Sequence, residues 1–187
     1  MKHRIARYFG RTVIVGMLVS LLALMTASPT LAVGENNVRL YGALVAEPCV
    51  IAPGKEEIVL DFGTVIDKYL YLNTRTIAQP FSIHLAECDL SLGKMMKVTF
   101  IGPENPTLEG LLAIDSSSSA GGIAIGLETT KGKLLALNKG SYVHTLQAGD
   151  TVVALQAYVQ AEPDAITKRS IKRGTFSATA TFSLEYE

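Results

Sequence analysis

The chain has 187 residues, and its 17 lysines and arginines are balanced by 17 aspartates and glutamates. That length has room for one ordinary domain, and the balanced charge gives no indication of a surface for nucleic acid or for an anionic membrane. The two cysteines, Cys49 and Cys88, lack the close spacing of a metal or redox pair.

Residues 1–32 have the layout of a secretory signal peptide. Four basic side chains precede a nearly uncharged apolar run over 13–27, and Thr30 and Ala32 have the spacing that signal peptidase accepts. Cleavage is therefore predicted after Ala32. A membrane anchor is the alternative, but the run is shorter than the roughly 20 residues needed to span a bilayer. The mature chain would keep 13 basic and 17 acidic side chains, and it has no later segment apolar enough to cross a membrane.

Export into an oxidising compartment gives the two cysteines a simple interpretation. Two thiols and no others predict one disulfide between Cys49 and Cys88. Closing that loop would stabilise the fold by ~4 kcal/mol in the chain-entropy model.

Apolar residues with a period of two predict a series of short strands. The first covers 36–45, and the others lie at 58–62, 81–88, 96–100, 123–127, 134–137 and 151–160. Irregular or polar connections are predicted at 64–78 and 162–173, a long exposed crossing at 103–122, and a loop around His144. No stretch keeps a 3.6-residue period, so helices should be short or absent. Together these features predict an all-β, immunoglobulin-like sandwich in a single domain.

The last stretch, residues 174–187, alternates most clearly. Its apolar side chains share one parity, with threonines, serines and Glu185 on the other; the apolar set is Phe176, Ala178, Ala180, Phe182, Leu184 and Tyr186. This pattern predicts a long half-buried strand. Such a strand needs a neighbour on each side, and the second neighbour is either an earlier segment of the chain or another molecule.

Several segments together resemble one known family. They are the strand 81–88 that ends at the second cysteine, the segments 98–102, 122–127 and 157–159, and a tail with Gly174 fourteenth from the end and Tyr186 next to last. The mature chain is similar over essentially its whole length to the pilin subunits of chaperone–usher fimbriae. Its tail most resembles the minor and adaptor subunits of P-pilus-like systems.

The resemblance implies an incomplete immunoglobulin-like domain over 47–187, with six strands and no seventh. The strand that lines the resulting groove would carry Gly174, Phe176, Ala178, Ala180, Phe182, Leu184 and Tyr186. A periplasmic chaperone would first lend a strand to this groove and hold the terminal carboxylate. At the outer-membrane usher, the extension of a neighbouring pilin subunit would then replace the chaperone strand.

The resemblance also assigns residues 33–46 to a donor-strand extension. Its groove-facing positions, counted back from Cys49, would be Asn36, Val38, Leu40, Gly42 and Leu44. Gly42 would lie where the partner's groove is shallow. The expected product is a structural subunit of an adhesive fimbrium, exported through the periplasm to the fimbrium on the cell surface.

Other interpretations of these segments stay open at this point. Residues 38–44 could serve as the chain's own missing strand, and the last strand could be an ordinary core strand. The alternative function is a self-sufficient secreted periplasmic β-sandwich that binds a ligand. His84 on the polar face of a strand, His144, and the serine run 116–119 form no catalytic or metal-binding pattern, so neither an enzyme nor a cofactor is expected.

Overall fold

The computed structural model describes residues 38–139 and 141–187. The predicted signal peptide, its cleavage after Ala32, and Asn36 therefore lie outside the described residues. The elements in chain order are β1 (Val50–Ile51), α1 (Asp67–Asn73), β2 (Gln79–Cys88), β3 (Met95–Ile101), β4 (Leu112–Ala113), β5 (Ile123–Thr129), β6 (Ser141–Thr145), β7 (Gly149–Ala161), α2 (Pro163–Thr167) and β8 (Thr181–Tyr186).

The strands form two antiparallel sheets. The larger sheet has the order β1-β2-β7-β5-β4, and the smaller one has the order β6-β3-β8. Strand β7 lies at the centre of the larger sheet, where Phe81 of β2 and Leu127 of β5 pair with Leu155 and Ala157. The fold is the immunoglobulin-like sandwich that the alternating pattern predicts.

The core lies between the two sheets and is built from alternate residues of the strands. Ile83 of β2 and Val153 and Leu155 of β7 are fully buried, as are Met96 and Val98 of β3. Cys49 and Cys88 form the predicted disulfide, which links the start of β1 to the end of β2. The sequence patterns at 81–88, 96–100 and 151–160 thus correctly located three strands and their buried faces.

A second cluster covers the outer face of the larger sheet. The ring of Tyr158 lies directly across Gly126, where a Cβ atom would overlap it. The guanidinium of Arg75 lies 4.0 Å from the centre of the same ring, and it forms an ion pair with the buried carboxylate of Glu128 at 2.8 Å. This arrangement of a cation, an aromatic ring and a glycine holds β5 and β7 together from outside the core.

Three predicted connections differ from the structure. Residues 141–145 form β6, so His144 is in a strand opposite Met96 rather than in a loop. The crossing at 103–122 is not uniformly exposed, because Leu108 and Leu111 are buried against the outer face and β4 pairs with β5. Residues 162–173 contain α2. The strands and the helix within these connections are short, and their packing depends on residues outside them, so local periodicity could not identify them.

Two predicted strands have no ladder in the structure. Residues 58–62 have no strand assignment, and residues 134–137 contribute only a single bridge between Leu134 and Glu128. The connection at 64–78 includes the seven-residue helix α1, which buries Leu70. The prediction that helices are short is confirmed within the described residues.

Candidate functional site: an open groove beside the last strand

The chain from 174 to 187 alternates as predicted, although only part of it is a strand. All six apolar residues of the predicted set are half-buried and pack on the core. The regular ladder with β3 covers β8 alone, so the predicted strand of fourteen residues is shorter in the structure. Residues ahead of β8 instead bond to the serine run, where Ser119 and Ala120 donate their N–H groups to the carbonyl of Thr175, and Asp115 donates to that of Ser177.

Within the described residues, the backbone hydrogen bonds of this segment all lie on one side. Glu187 and Met95 exchange two backbone hydrogen bonds, at 2.9 and 3.2 Å. Because bonded and non-bonded pairs alternate along an antiparallel ladder, residues 181, 183 and 185 bond to β3. The N–H and C=O groups of Phe182, Leu184 and Tyr186 consequently point to the other flank. Within the described part of the chain, β8 has no strand on that flank.

A second segment with alternating burial, residues 58–62, contacts the chain ahead of β8 through the rings of Phe62 and Phe176. Ile58, Leu60 and Phe62 are half-buried against the core, whereas the intervening Val59 is 83% exposed. The period of two is thus present, but no described residue forms a backbone hydrogen bond to 58–62 from another element. We call residues 58–62 the first wall and residues 176–186 the second wall.

One contact between the walls and two contacts that involve flanking residues show how the two walls run. The Tyr186 hydroxyl donates to the Cys49 carbonyl at 3.3 Å, and the rings of Phe62 and Phe176 lie 6.2 Å apart. Arg173 pairs with Asp67 at 2.7 Å. Rising numbers in one segment match falling numbers in the other, so the walls are antiparallel.

The Phe62 and Phe176 rings join the walls at one end, and at the other end Tyr186 bonds to Cys49, ahead of the first wall. No backbone hydrogen bond joins the walls among the described residues. The space between them is the groove. A strand entering it could bond to both walls, running parallel to one and antiparallel to the other.

Gly174 has a steric role at the start of the second wall. Its φ is +153°, and a Cβ atom there would lie 2.6 Å from Ser119 Oγ and 2.8 Å from the Ser119 carbonyl carbon. A side chain would push the second wall away from the serine run. The glycine therefore allows the close approach on which the hydrogen bonds of Thr175 and Ser177 depend.

Residues 38–43 belong to a compact unit separate from the one that starts at Leu44, and they are described by themselves. The predicted strand over 36–45 has no strand assignment within its described residues. Val38 is 83% exposed and Leu40 is 91% exposed, and Leu44, in the following unit, is fully exposed. Their donor role is not tested by this structure and stays a prediction.

The ionisable groups near the groove take part in contacts that hold the structure together. Burial raises the pKa of Tyr186, and the negative charge of Glu47 adds to that shift. The hydrogen bond from Arg173 lowers the pKa of Asp67. No group of three or more histidine, cysteine, aspartate or glutamate side chains in the described ranges is placed to hold a metal ion. No described helix is long and apolar enough to span a bilayer.

Sequence patterns located the second wall but not the whole site. The first wall was predicted only as a strand, and Asp67, Tyr71 and Arg173 were not predicted to belong to the site. The alternation of Ile58, Leu60 and Phe62 was the available signal for the first wall. Nothing in the sequence could pair Asp67 with a residue more than a hundred positions away, and Arg173 lies in the predicted polar connection over 162–173.

Comparisons with known proteins consistently find fimbrial proteins. The family model described as "Fimbrial protein" matches residues 38–187. The uncharacterized fimbrial-like protein YfcP of Escherichia coli K12 is 30% identical over 87% of this chain and 90% of its own length. The fimbrial adapter PapK of Escherichia coli is 30% identical over 89% of this chain and 94% of its own. The P pilus rod subunit PapA aligns with a TM-score of 0.65, at 23% identity over 75% of this chain and 100% of its own.

Proposed function

We propose that this chain, which belongs to the fimbrial protein family and is a chaperone–usher pilin subunit, is a minor or adaptor subunit that polymerises by donor-strand exchange and contributes to cell adhesion. Fimbrial subunits assemble with other subunits in extracellular pili. The strand-exchange mechanism, the place in the fibre and the adhesive role are the parts proposed here.

The observation that carries the proposal is the one-sided pairing of β8. Within the described residues, half of its backbone polar groups face the groove without a strand to bond, and the first wall has no backbone hydrogen bond to another element. Buried or half-buried backbone groups need partners. One strand supplied by another molecule would satisfy both walls and extend the core, which is strand addition at a sheet edge.

The supplied strand would be residues 36–46 of a neighbouring subunit. Val38, Leu40 and Leu44 would point into the groove, and burying each would contribute ~1.5–3 kcal/mol. Asn36 would lie at the leading end. In the structure Val38, Leu40 and Leu44 are exposed to solvent, so their burial in a neighbour's groove would remove apolar surface from water.

Gly42 would cross the shallowest part of the groove. We place this crossing over the Phe62 and Phe176 rings, whose centres lie 6.2 Å apart across the two walls. A residue larger than glycine at position 42 would clash with rings of this kind in the partner.

The remaining partners follow from the same groove. Before assembly, a periplasmic chaperone would cover it with a strand of its own, and an outer-membrane usher would be the place of exchange. Residues 1–32 would be removed on export, 33–46 would form the extension, and 47–187 the pilin domain. The minor or adaptor role is supported by the sequence of the tail and by the 30% identity to an adapter subunit. Counting copies per fibre by quantitative mass spectrometry tests that role.

The exchange mechanism is tested by paired substitutions in the extension. Leu40→Asp should abolish incorporation of the subunit at its donor side, because it places a charge in the neighbour's groove. Tyr41→Asp is the matched control, since that side chain has the opposite parity and would face away. Incorporation is read by immunoprecipitation of fibres. Equal incorporation of both variants would contradict the proposed donor strand.

A further inference from the structure

Helix α1 is joined by two side-chain contacts to the segment just ahead of the second wall. Nε and Nη2 of Arg173 both donate to one carboxylate oxygen of Asp67, at 2.9 and 2.7 Å. The backbone N–H of Ile171 donates to the hydroxyl of Tyr71 at 3.1 Å. Asp67 and Tyr71 are four residues apart and share one face of α1. We call these two contacts the α1 bridge.

The α1 bridge lies at one end of the groove. The first wall leads into α1 within five residues of Phe62, and the second wall begins three residues after Arg173. Phe62 and Phe176 are in contact at this same end. Because no backbone ladder joins the walls among the described residues, only side-chain contacts link them to each other at this end. The Tyr186 hydroxyl has the corresponding role at the other end.

We infer that the α1 bridge positions the two walls for the incoming strand, so that Asp67, Tyr71 and Arg173 are positioning residues for strand docking. This inference rests on the proposed function. A docking strand must bond to both walls at once, and the first wall has no backbone hydrogen bond among the described residues that would hold it at a fixed distance from the second. A bridge that fixes the spacing of the walls raises the fraction of molecules whose groove is ready to bind. It also reduces the conformational entropy that is lost when the strand binds.

The charges and surroundings of the α1 bridge determine how strongly its loss should slow strand docking. The Arg173 side chain is 81% exposed and that of Asp67 is 18% exposed, and pairs near solvent are weak. The hydrogen bond from Arg173 lowers the pKa of Asp67, so the carboxylate is ionised at neutral pH. An open cleft of about 500 Å³, lined by Asp67, Tyr71, Arg169, Ile171 and Arg173, leaves room to exchange the two charges.

The test measures how fast the chain from residue 33 takes up a fluorescent peptide of residues 36–46, by anisotropy with peptide in excess. Asp67→Asn and Arg173→Gln should each slow uptake by about three- to fivefold. Asparagine keeps an oxygen to accept the Lys68 N–H that Asp67 now accepts, so the start of α1 is preserved.

The double variant should be no slower than either single one, and Asp67→Arg with Arg173→Asp should recover most of the rate. Tyr71→Phe should slow uptake to a smaller extent.

Asp164→Asn is the matched control. It removes an ion pair with Lys168 at the same 2.7 Å distance, although the Asp164 side chain is more exposed than that of Asp67, and this pair connects residues of one helical turn. That variant should take up peptide at the original rate. Unchanged or faster uptake by Asp67→Asn and Arg173→Gln would overturn the inference, as would equal slowing by Asp164→Asn. If the unaltered chain takes up no peptide, the proposed strand docking fails and this inference fails with it. Equal uptake with and without the bridge would overturn this inference alone.

Discussion

Strands β7 and β8 have the same alternating sequence pattern but different surroundings. Strand β7 pairs with β2 on one flank and with β5 on the other, and its inward residues Val153 and Leu155 are completely buried. Among the residues that the structure describes, strand β8 pairs with β3 alone, and its inward residues Phe182 and Leu184 are half-buried. The pattern specifies which face of a strand meets the core. It does not specify how many neighbours the strand has, and that number separates a core strand from a binding site.

The largest effect should come from giving β8 its second neighbour. A chain of residues 47–187 with residues 36–46 fused after Glu187 through a flexible linker should be at least ~4 kcal/mol more stable to unfolding than the same chain without the fusion. Val38, Leu40 and Leu44 would become buried in the groove. Denaturant unfolding measures the difference. A fused segment carrying Val38→Asp and Leu40→Asp is the control, and the same gain from that segment would show that the groove is not filled as proposed.

Truncating one leucine in each strand sharpens the comparison. Leu155→Ala in β7 should cost about 2–5 kcal/mol of unfolding free energy, because it leaves a cavity in a completely buried site. Leu184→Ala in β8 should cost about 1 kcal/mol of unfolding free energy in the chain without a fused donor. Truncating a half-buried side chain removes fewer packing contacts than truncating a buried one. In the fused chain its cost should approach that of Leu155→Ala. Equal costs for Leu184→Ala with and without the donor would contradict an empty groove.

The outer face of the larger sheet offers an intermediate effect. Gly126→Ala should destabilise the chain by about 1–3 kcal/mol, since the added methyl group overlaps the Tyr158 ring and displaces it from Arg75. Thermal unfolding measures this loss. Gly132→Ala tests a different kind of glycine. Its positive φ disfavours a side chain, but a Cβ atom there would have no neighbour within 4 Å. A smaller loss at Gly126 than at Gly132 would show that the ring can move without cost.

The smallest effect concerns His144 in β6, on the other side of β3 from β8. Burial lowers the pKa of His144, so the unfolded chain binds its proton more readily than the folded chain. The stability contributed by this residue is complete above its unfolded pKa of about 6.5 and declines as the pH falls below it. His144→Gln should flatten the dependence of unfolding on pH between about 5 and 7. An unchanged dependence would show that another group causes it.

The predictable part of the molecule is the part that repeats locally. Alternation at 81–88 and 176–186 correctly indicated which residues face the core, and the two cysteines are joined as predicted. The pairing partners were not predictable, because paired residues of β3 and β6 lie more than forty positions apart and Arg173 meets Asp67 across more than a hundred. The first wall was only partly recognised, since Ile58, Leu60 and Phe62 have the pattern of a strand without a ladder of their own.

Hydrogen exchange of the last strand tests the open groove most directly. In the chain from residue 33, the amides of Phe182 and Leu184 should exchange quickly, whereas those of Ser183 and Glu185, which face β3, should be protected. Adding the peptide of residues 36–46 should slow Phe182 and Leu184 by about a hundredfold or more and leave Val153 and Leu155 of β7 unchanged. Slow exchange at Phe182 and Leu184 without peptide would show that the second flank of β8 is already paired, and would contradict the account.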